Sequence, residues 1–278
     1  MRVLVTGSSG FIGGYVCAEL AARGHRVVPF DRPRDVTNPA EVHPRCAAAD
    51  AVINLAGMLG TAEILGSEQA AAAVNILGAL NIYDAAAKYG IPVVQIGTGH
   101  RGQPNPYAIT KACAEDLGLA RARWCGEKIA VVRAYHVYGP GQKPPPPHGP
   151  SPVRKIVPSF ACRALTGMPV EIWGSGEQQI DLVHAEDVAA VLVDAIGGPY
   201  GQVTEAGTGK PTTVNQAARD VIDAAGPDGF ITRLPMRPGE PEDTTVVAAA
   251  PACRNPWPYK LDETIGWYRE WISRSYRS

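Results

Sequence analysis

The feature that most constrains this chain lies near its first residue. A short apolar run, Val3 to Val5, leads into Thr6-Gly7-Ser8-Ser9-Gly10-Phe11-Ile12-Gly13, and a helical pattern then runs from Phe11 to Arg23 and stops at Gly24. Strand, glycine turn and helix in that order open a βαβ unit. The Gly7, Gly10, Gly13 spacing permits a tight turn and lets backbone approach a bound group closely. The helix start adds N–H donors and the positive end of its dipole, which suits a pyrophosphate. A second strand, Arg26 to Phe30, ends at Asp31, 24 residues after Gly7. A carboxylate there can accept from an adenosine ribose hydroxyl and repels a 2′-phosphate. NAD is therefore expected over NADP, with Arg32 softening the preference.

The pattern continues. Strands at Ala51 to Leu55, Pro92 to Ile96 and Lys128 to Ala134 alternate with helices at Glu68 to Tyr89 and Pro106 to Trp124. Such alternation predicts an α/β fold of the Rossmann type, a doubly wound parallel sheet covered on both faces. It breaks at Gly139 to Pro152, GPGQKPPPPHGPSP, which reads as a stiff linker or lid edge rather than a ligand for a proline-recognition domain. Beyond it, shorter mixed elements predict a smaller α/β lobe, ending in a helix from Asp262 to Arg274. The expected division is a dinucleotide-binding domain over 1–150, its sheet completed by later segments, and a substrate-binding lobe over 151–278. Its length of 278 residues fits about two domains.

Composition excludes several alternatives. The formal net charge of −1 leaves no global basic field for nucleic acid or an anionic membrane. The most apolar stretch, Gln69 to Ala87, is broken by Asn75, Asn81 and Asp84, so no membrane span is expected, and the N-terminal apolar run is short for a signal peptide. The six cysteines are scattered without metal-ligand spacing, which predicts reduced thiols, no metal and a cytoplasmic protein.

Further groups carry chemistry. Tyr107 and Lys111 form a YxxxK pair on one face of a predicted helix. The lysine can lower the tyrosine pKa and hold a nicotinamide ribose, and the tyrosine can exchange a proton with a substrate hydroxyl while hydride moves. Thr98, at the C-terminal end of a strand, faces the expected ligand crevice and can polarise the same oxygen. His100, in the turn after Thr98, is expected to face solvent, with a lone acid/base role as the alternative. His43 and His148 are expected in loops, His25 in a turn and His184 in a structural motif. The aromatic tail from Trp257 to Tyr276 is expected to pack as a C-terminal helix.

Together these segments resemble the extended short-chain dehydrogenase/reductase family, the NAD-dependent epimerase/dehydratase group. TGSSGFIGG resembles its cofactor turn, including Phe11 and Ile12. DAVINLAG, with Leu55, Ala56 and Gly57, resembles the strand that lines the cofactor. Asn75 matches a family asparagine, and Asp35-Val36-Thr37 a motif near adenine. VVRAYHVYGPG, with Tyr135 and His136, resembles the sixth-strand motif, while GSGEQQIDLVHAEDVA and RPGE resemble motifs of the substrate lobe. The resemblance implies Thr98, Tyr107 and Lys111 as catalytic residues. It implies cofactor contacts from the residues named above and substrate contacts from Met58, Thr98, His136 and Arg237. It also implies a sugar or nucleotide-sugar substrate and a homodimer built on the helices 68–89 and 107–124.

Departures from the family pattern are informative. Asp31 and Asp35 are nearly adjacent, so one helix–strand pair at the cofactor domain's edge is expected to be reduced. Thr98 and Tyr107 are only nine residues apart, which predicts a more open active site. Positions that meet a substrate diphosphate carry His136 and Ile180, with only Arg237 kept. The acid pair of the 4,6-dehydratase branch is Gly99-His100 here. The expected activity is NAD-dependent hydride transfer at a sugar carbinol, with 4-epimerisation favoured. Net ketoreduction with NAD(P)H and a non-catalytic NAD-binding sensor or scaffold are the alternatives.

Overall fold

A computed structural model describes residues 1–226 and 229–275; Tyr276, the last aromatic of the tail, lies outside them. In chain order the first elements are β1 (Arg2–Thr6), α1 (Phe11–Ala22), β2 (Arg26–Phe30), α2 (Pro39–Ala47) and β3 (Ala51–Asn54). A long helix follows as α3 (Glu68–Ala72), a π-helical turn (Ala73–Leu77) and α4 (Gly78–Tyr89). Next come β4 (Val93–Thr98), α5 (Pro106–Cys125), β5 (Ile129–Ala134), β6 (His136–Tyr138), α6 (Ile156–Leu165) and β7 (Val170–Trp173). The chain continues through β8 (Gln179–Ile180), β9 (Leu182–His184), α7 (Ala185–Asp194) and β10 (Val203–Ala206). It ends with β11 (Thr212–Thr213), α8 (Val214–Ala225), β12 (Ile231–Leu234), β13 (Thr245–Val246) and α9 (Leu261–Ser275).

Among the described residues the main sheet has six parallel strands in the order β10-β5-β4-β3-β1-β2. Every residue of β3 and β4 is buried, as expected of central parallel strands covered on both faces. The chain moves outward from β1 to β2 and then resumes at β3 on the other side of β1. This reversal makes a topological switch point between β1 and β3, where open α/β sheets bind ligands. With the shortened connection after Asp31, β2 is the sheet edge.

A buried polar ladder crosses the strands there. The Thr6 hydroxyl donates to Asn54 Oδ1 at 2.5 Å, and Asn54 Nδ2 donates to Gln95 Oε1 at 2.7 Å. Thr6 Oγ1 also accepts from the N–H groups of Leu55 and Ala56, at 3.0 Å each. Side chains thus satisfy buried backbone where β3 leaves the sheet.

Among the described residues, three apolar cores hold the molecule. One joins a sheet face to α1 and α7, a second joins the other face to α2 and α4, and the third lies inside the smaller lobe among α6, α8 and α9. The cores do not divide at a single point of the chain. After the first part of the lobe, β9, α7 and β10 return to the first core, and β10 completes the main sheet.

Two local features differ from the sequence expectation. His43 lies on α2, not in a loop: Asn38 caps that helix and Pro39 opens it, but Pro44 inside it disguises the pattern. The helix over 68–89, long and apolar enough to cross a membrane by length and composition, carries a π turn and lies partly inside the protein. Its Asn75, Ala79, Ile82, Tyr83, Ala85 and Ala86 are buried, so the apolar side is a core face.

Candidate active site

The glycine turn sits at the switch point. Gly7 has φ +68°, and a Cβ on it would stand 3.2 Å from the Leu55 carbonyl carbon, so the turn and the end of β3 nearly touch. A Cβ on Gly13 would stand 2.1 Å from Gly7 O, which only glycine permits. Helix α1 therefore packs directly beneath the turn. Its N-cap, Gly10, offers no side-chain cap, and its first turn has no acidic residue. By contrast α2, α5 and α8 are capped by Asn38, Asn105 and Thr213. The unfilled donors at the start of α1 fit the pyrophosphate of a dinucleotide. Phe11 stacks edge-on to Tyr15 at 5.6 Å, and Ile12 packs on the first core.

Asp31 stands across the turn. Its Oδ2 accepts from both the N–H and the hydroxyl of Ser9 at 2.7 Å, and Oδ1 accepts from Arg32 N at 2.9 Å. Burial would raise its pKa, but these bonds hold the carboxyl below its usual value. Arg32 is exposed beside it. Asp35 and Val36 lie further off. Asp35 accepts from Thr37 N within its own turn, and Val36 is buried against Gly78 of α4.

On the other side of the crevice, Thr98 ends β4 and Tyr107 opens α5, a helix set by the Asn105 cap and by Pro106. Burial raises the Tyr107 pKa, and a hydrogen bond with Thr98 pulls it down. Lys111, one turn on, is 3% exposed, and burial lowers its pKa to about 8 despite Glu115 nearby. A Cβ on Gly57 would stand 3.8 Å from Lys111 Nζ and 3.1 Å from Asn75 Oδ1, so these three positions meet. Asn75, in the π turn, accepts from Met58 N at 2.8 Å and donates to Met58 O at 3.1 Å and to Thr110 Oγ1 at 2.9 Å. It ties the segment after β3 to α5. Extra residues in π turns often mark such sites.

His100 is not a solvent-facing turn residue. Its Nδ1 lies 3.2 Å from Thr98 Oγ1, and its ring lies 6.5 Å from the Tyr107 ring and 4.7 Å from the His136 ring. Burial and the charge of Lys155 lower its pKa to about 4. His136 is pushed well below its usual value by burial and its neighbours, and its Nδ1 is buried without a hydrogen-bond partner. Tyr135 turns away under the loop. A Cβ on Gly99 would stand 2.5 Å from the Tyr135 ring, and one on Gly207 2.9 Å.

The short connection between Thr98 and Tyr107 does not leave the site bare. Arg237 donates to Glu63 at 3.0 Å and to both oxygens of Glu240, and its guanidinium lies 5.1 Å from the centre of the Trp173 ring. Thr61 donates to Glu240 at 2.5 Å, and Arg154 N donates to Glu63 at 3.1 Å. Segments far apart in sequence are thereby latched beside the start of α5, where Asn105 also donates to Gly239 O at 3.3 Å. Ile180 is buried in the lobe core, 3% exposed. Glu63 and Lys155 carry no motif that would single them out in the sequence, whereas Glu240 closes the RPGE segment.

Comparison with known proteins follows the same lines. The chain is 25% identical to a UDP-N-acetyl-alpha-D-glucosaminuronate decarboxylase of Bacillus cytotoxicus, over 97% of this chain and 98% of that one. It is 26% identical to a dTDP-glucose 4,6-dehydratase of Streptomyces niveus, over 97% and 93%. The UDP-glucose 4-epimerase of Thermus thermophilus in complex with NAD superposes with a TM-score of 0.80 at 26% identity, over 97% of this chain and 99% of that one. The sequence model of the NAD dependent epimerase/dehydratase family matches residues 3–203. The chain is thus an NAD-dependent enzyme with a Rossmann-type fold, and it belongs to the NAD-dependent epimerase/dehydratase family.

Proposed function

We propose that the protein interconverts nucleotide sugars epimeric at C4, acting in the cytoplasm as a homodimer. The observation that carries this reading is the meeting of Thr98, Tyr107 and Lys111 beside the switch point, with Gly57 and Asn75 against the lysine. Bound NAD supplies a hydride acceptor and returns the hydride. Asp31 would take the adenosine ribose, exchanging part of its hold on Ser9. Lys111 would hold the nicotinamide ribose. Thr98 donates to the substrate oxygen, and Tyr107, as a phenolate favoured by the Lys111 ammonium, would accept the carbinol proton as the ketone forms and return it after the sugar turns over.

The packing of Gly99 favours epimerisation over dehydration. Elimination of water needs an acid beside the ketone. No side chain fits at position 99, because Tyr135 occupies the space where its Cβ would be. Incubation of UDP-glucose with the NAD-loaded protein is expected to yield the C4 epimer, read by NMR. A 4-keto-6-deoxy product, or no product, would overturn the reading.

The dimer proposal rests on the exposed faces of the helices over 68–89 and of α5. Leu77 is 55% exposed, Ile109 59% and Trp124 79%, an apolar surface that a second copy would cover. Light scattering at micromolar concentration is expected to give about twice the 29.4 kDa chain mass. A monomer would contradict it.

A further inference from the structure

The guanidinium of Arg237 is fully engaged by the protein's own side chains. Glu240 takes its Nε and Nη2, Glu63 takes Nη1 at 3.0 Å, and the centre of the Trp173 ring lies 5.1 Å away. The two carboxylates are held unequally. Glu240 binds through both oxygens and also receives the Thr61 hydroxyl at 2.5 Å. Glu63 uses Oε1 alone, for Arg237 and for the N–H of Arg154 at 3.1 Å. Its Oε2 is buried without a hydrogen-bond partner among the described residues, close to Gly60, where a Cβ would stand 2.9 Å from it. A buried carboxylate oxygen without a donor is costly, and turning it out to water removes that cost. Burial would raise the Glu63 pKa, but the Arg154 N–H and Arg237 hold it below its usual value, so the group is charged at neutral pH.

Resting on the reading that the substrate is a nucleotide sugar, we propose that Glu63 competes with the substrate diphosphate for Nη1 of Arg237 and thereby sets how tightly the enzyme holds its nucleotide. The diphosphate has few other partners here. Ile180 lies in the lobe core, and burial and its neighbours keep His136 neutral. Lys155 offers a point charge, whereas a guanidinium offers directed donors that match phosphate oxygens. One guanidinium now faces two carboxylates, and the excess of negative charge opposes an incoming diphosphate. Rotation of the Glu63 side chain into water frees Nη1, while Glu240 and Trp173 keep the guanidinium in place. The backbone need not move: Ile64, the next residue, is 1% exposed and anchors the segment. The apparent affinity for the nucleotide is lowered by the share of time that Glu63 holds the arginine. Its return to Arg237 speeds departure of the product.

The test is calorimetric titration of the NAD-loaded full chain with UDP. Glu63→Gln keeps an oxygen for the Arg154 N–H and loses only the charge. It is expected to bind UDP more tightly than wild type by roughly three- to tenfold, and to lower KM for UDP-glucose without raising kcat. Glu63→Ala, which clears Nη1 altogether, is expected to gain as much. Glu68→Gln is the charge-matched control: Glu68 accepts from Gly66 N at 2.8 Å and does not touch Arg237. It is expected to change UDP affinity by less than about twofold. Unchanged melting temperature and NAD affinity would show that the variants fold. UDP affinity in the folded Glu63 variants equal to or below that of wild type, or an equal gain in Glu68→Gln, would overturn the proposal. If wild type then still epimerises UDP-glucose, this inference falls alone. A gain in the Glu63 variants without epimerisation by wild type supports the competition and overturns the epimerase reading, whereas a chain that binds no UDP overturns both.

Discussion

Tyr107→Phe is expected to lower turnover by roughly 10²–10⁴-fold while leaving NAD affinity within a factor of about three. The phenol's ring packs at the start of α5, and phenylalanine preserves that packing. Only the hydroxyl is lost, and with it the hydrogen bond to Thr98. His100 reaches Thr98 from the other side, and Lys111 is a cation whose pKa lies near 8. The measurement is C4 epimerisation of UDP-glucose beside calorimetric titration with NAD. Full activity in a variant that binds NAD would remove Tyr107 from the mechanism.

Glu115→Ala is expected to destabilise the fold by about 3–5 kcal/mol, the usual cost of stripping one partner from a buried ion pair. Glu115 is 1% exposed and accepts from Arg133 at 2.5, 3.1 and 3.2 Å and from Arg101 at 3.2 Å. Without it, among the described residues, Arg133 keeps the acidic partner Glu205 alone, at 3.7 Å. The carboxylate also occupies the space above Gly97, where a Cβ would stand 2.8 Å from Glu115 Oε2. Glu115 therefore joins α5 to β4 and β5. In a thermal melt the loss corresponds to a drop of about 10 °C for a chain of this size. A melting temperature within about 2 °C of wild type would show that the network contributes little.

Glu115 is four residues beyond Lys111 and eight beyond Tyr107, so helical spacing places all three on one face. That much is readable along the sequence. The partners Arg101 and Arg133 are not, because they arrive from a loop and a neighbouring strand. The same contrast runs through the site. The glycine turn, Asp31, Thr98, Tyr107 and Lys111 declare themselves because turn geometry and helix periodicity act over a few residues. The expected cofactor, NAD, follows from them and agrees with the family. His100 misled for the opposite reason: a glycine neighbour and a turn position point to solvent, while the rings that enclose it come from Tyr107 and from His136.

Local sequence determined the order of strands and helices, the cradle at Gly7 to Gly13 and the YxxxK pair. Each is set by backbone sterics or by a short repeat that no distant residue need complete. Tertiary structure alone decided how the far side of the crevice is furnished. Arg237 meets Glu63 across 174 residues of chain, and Tyr135 fills the space above Gly99 from the end of another strand. Charge neutralisation and close packing depend on distances in space. In a doubly wound fold those distances are set by the strand order, which the spacing of residues along the chain does not encode.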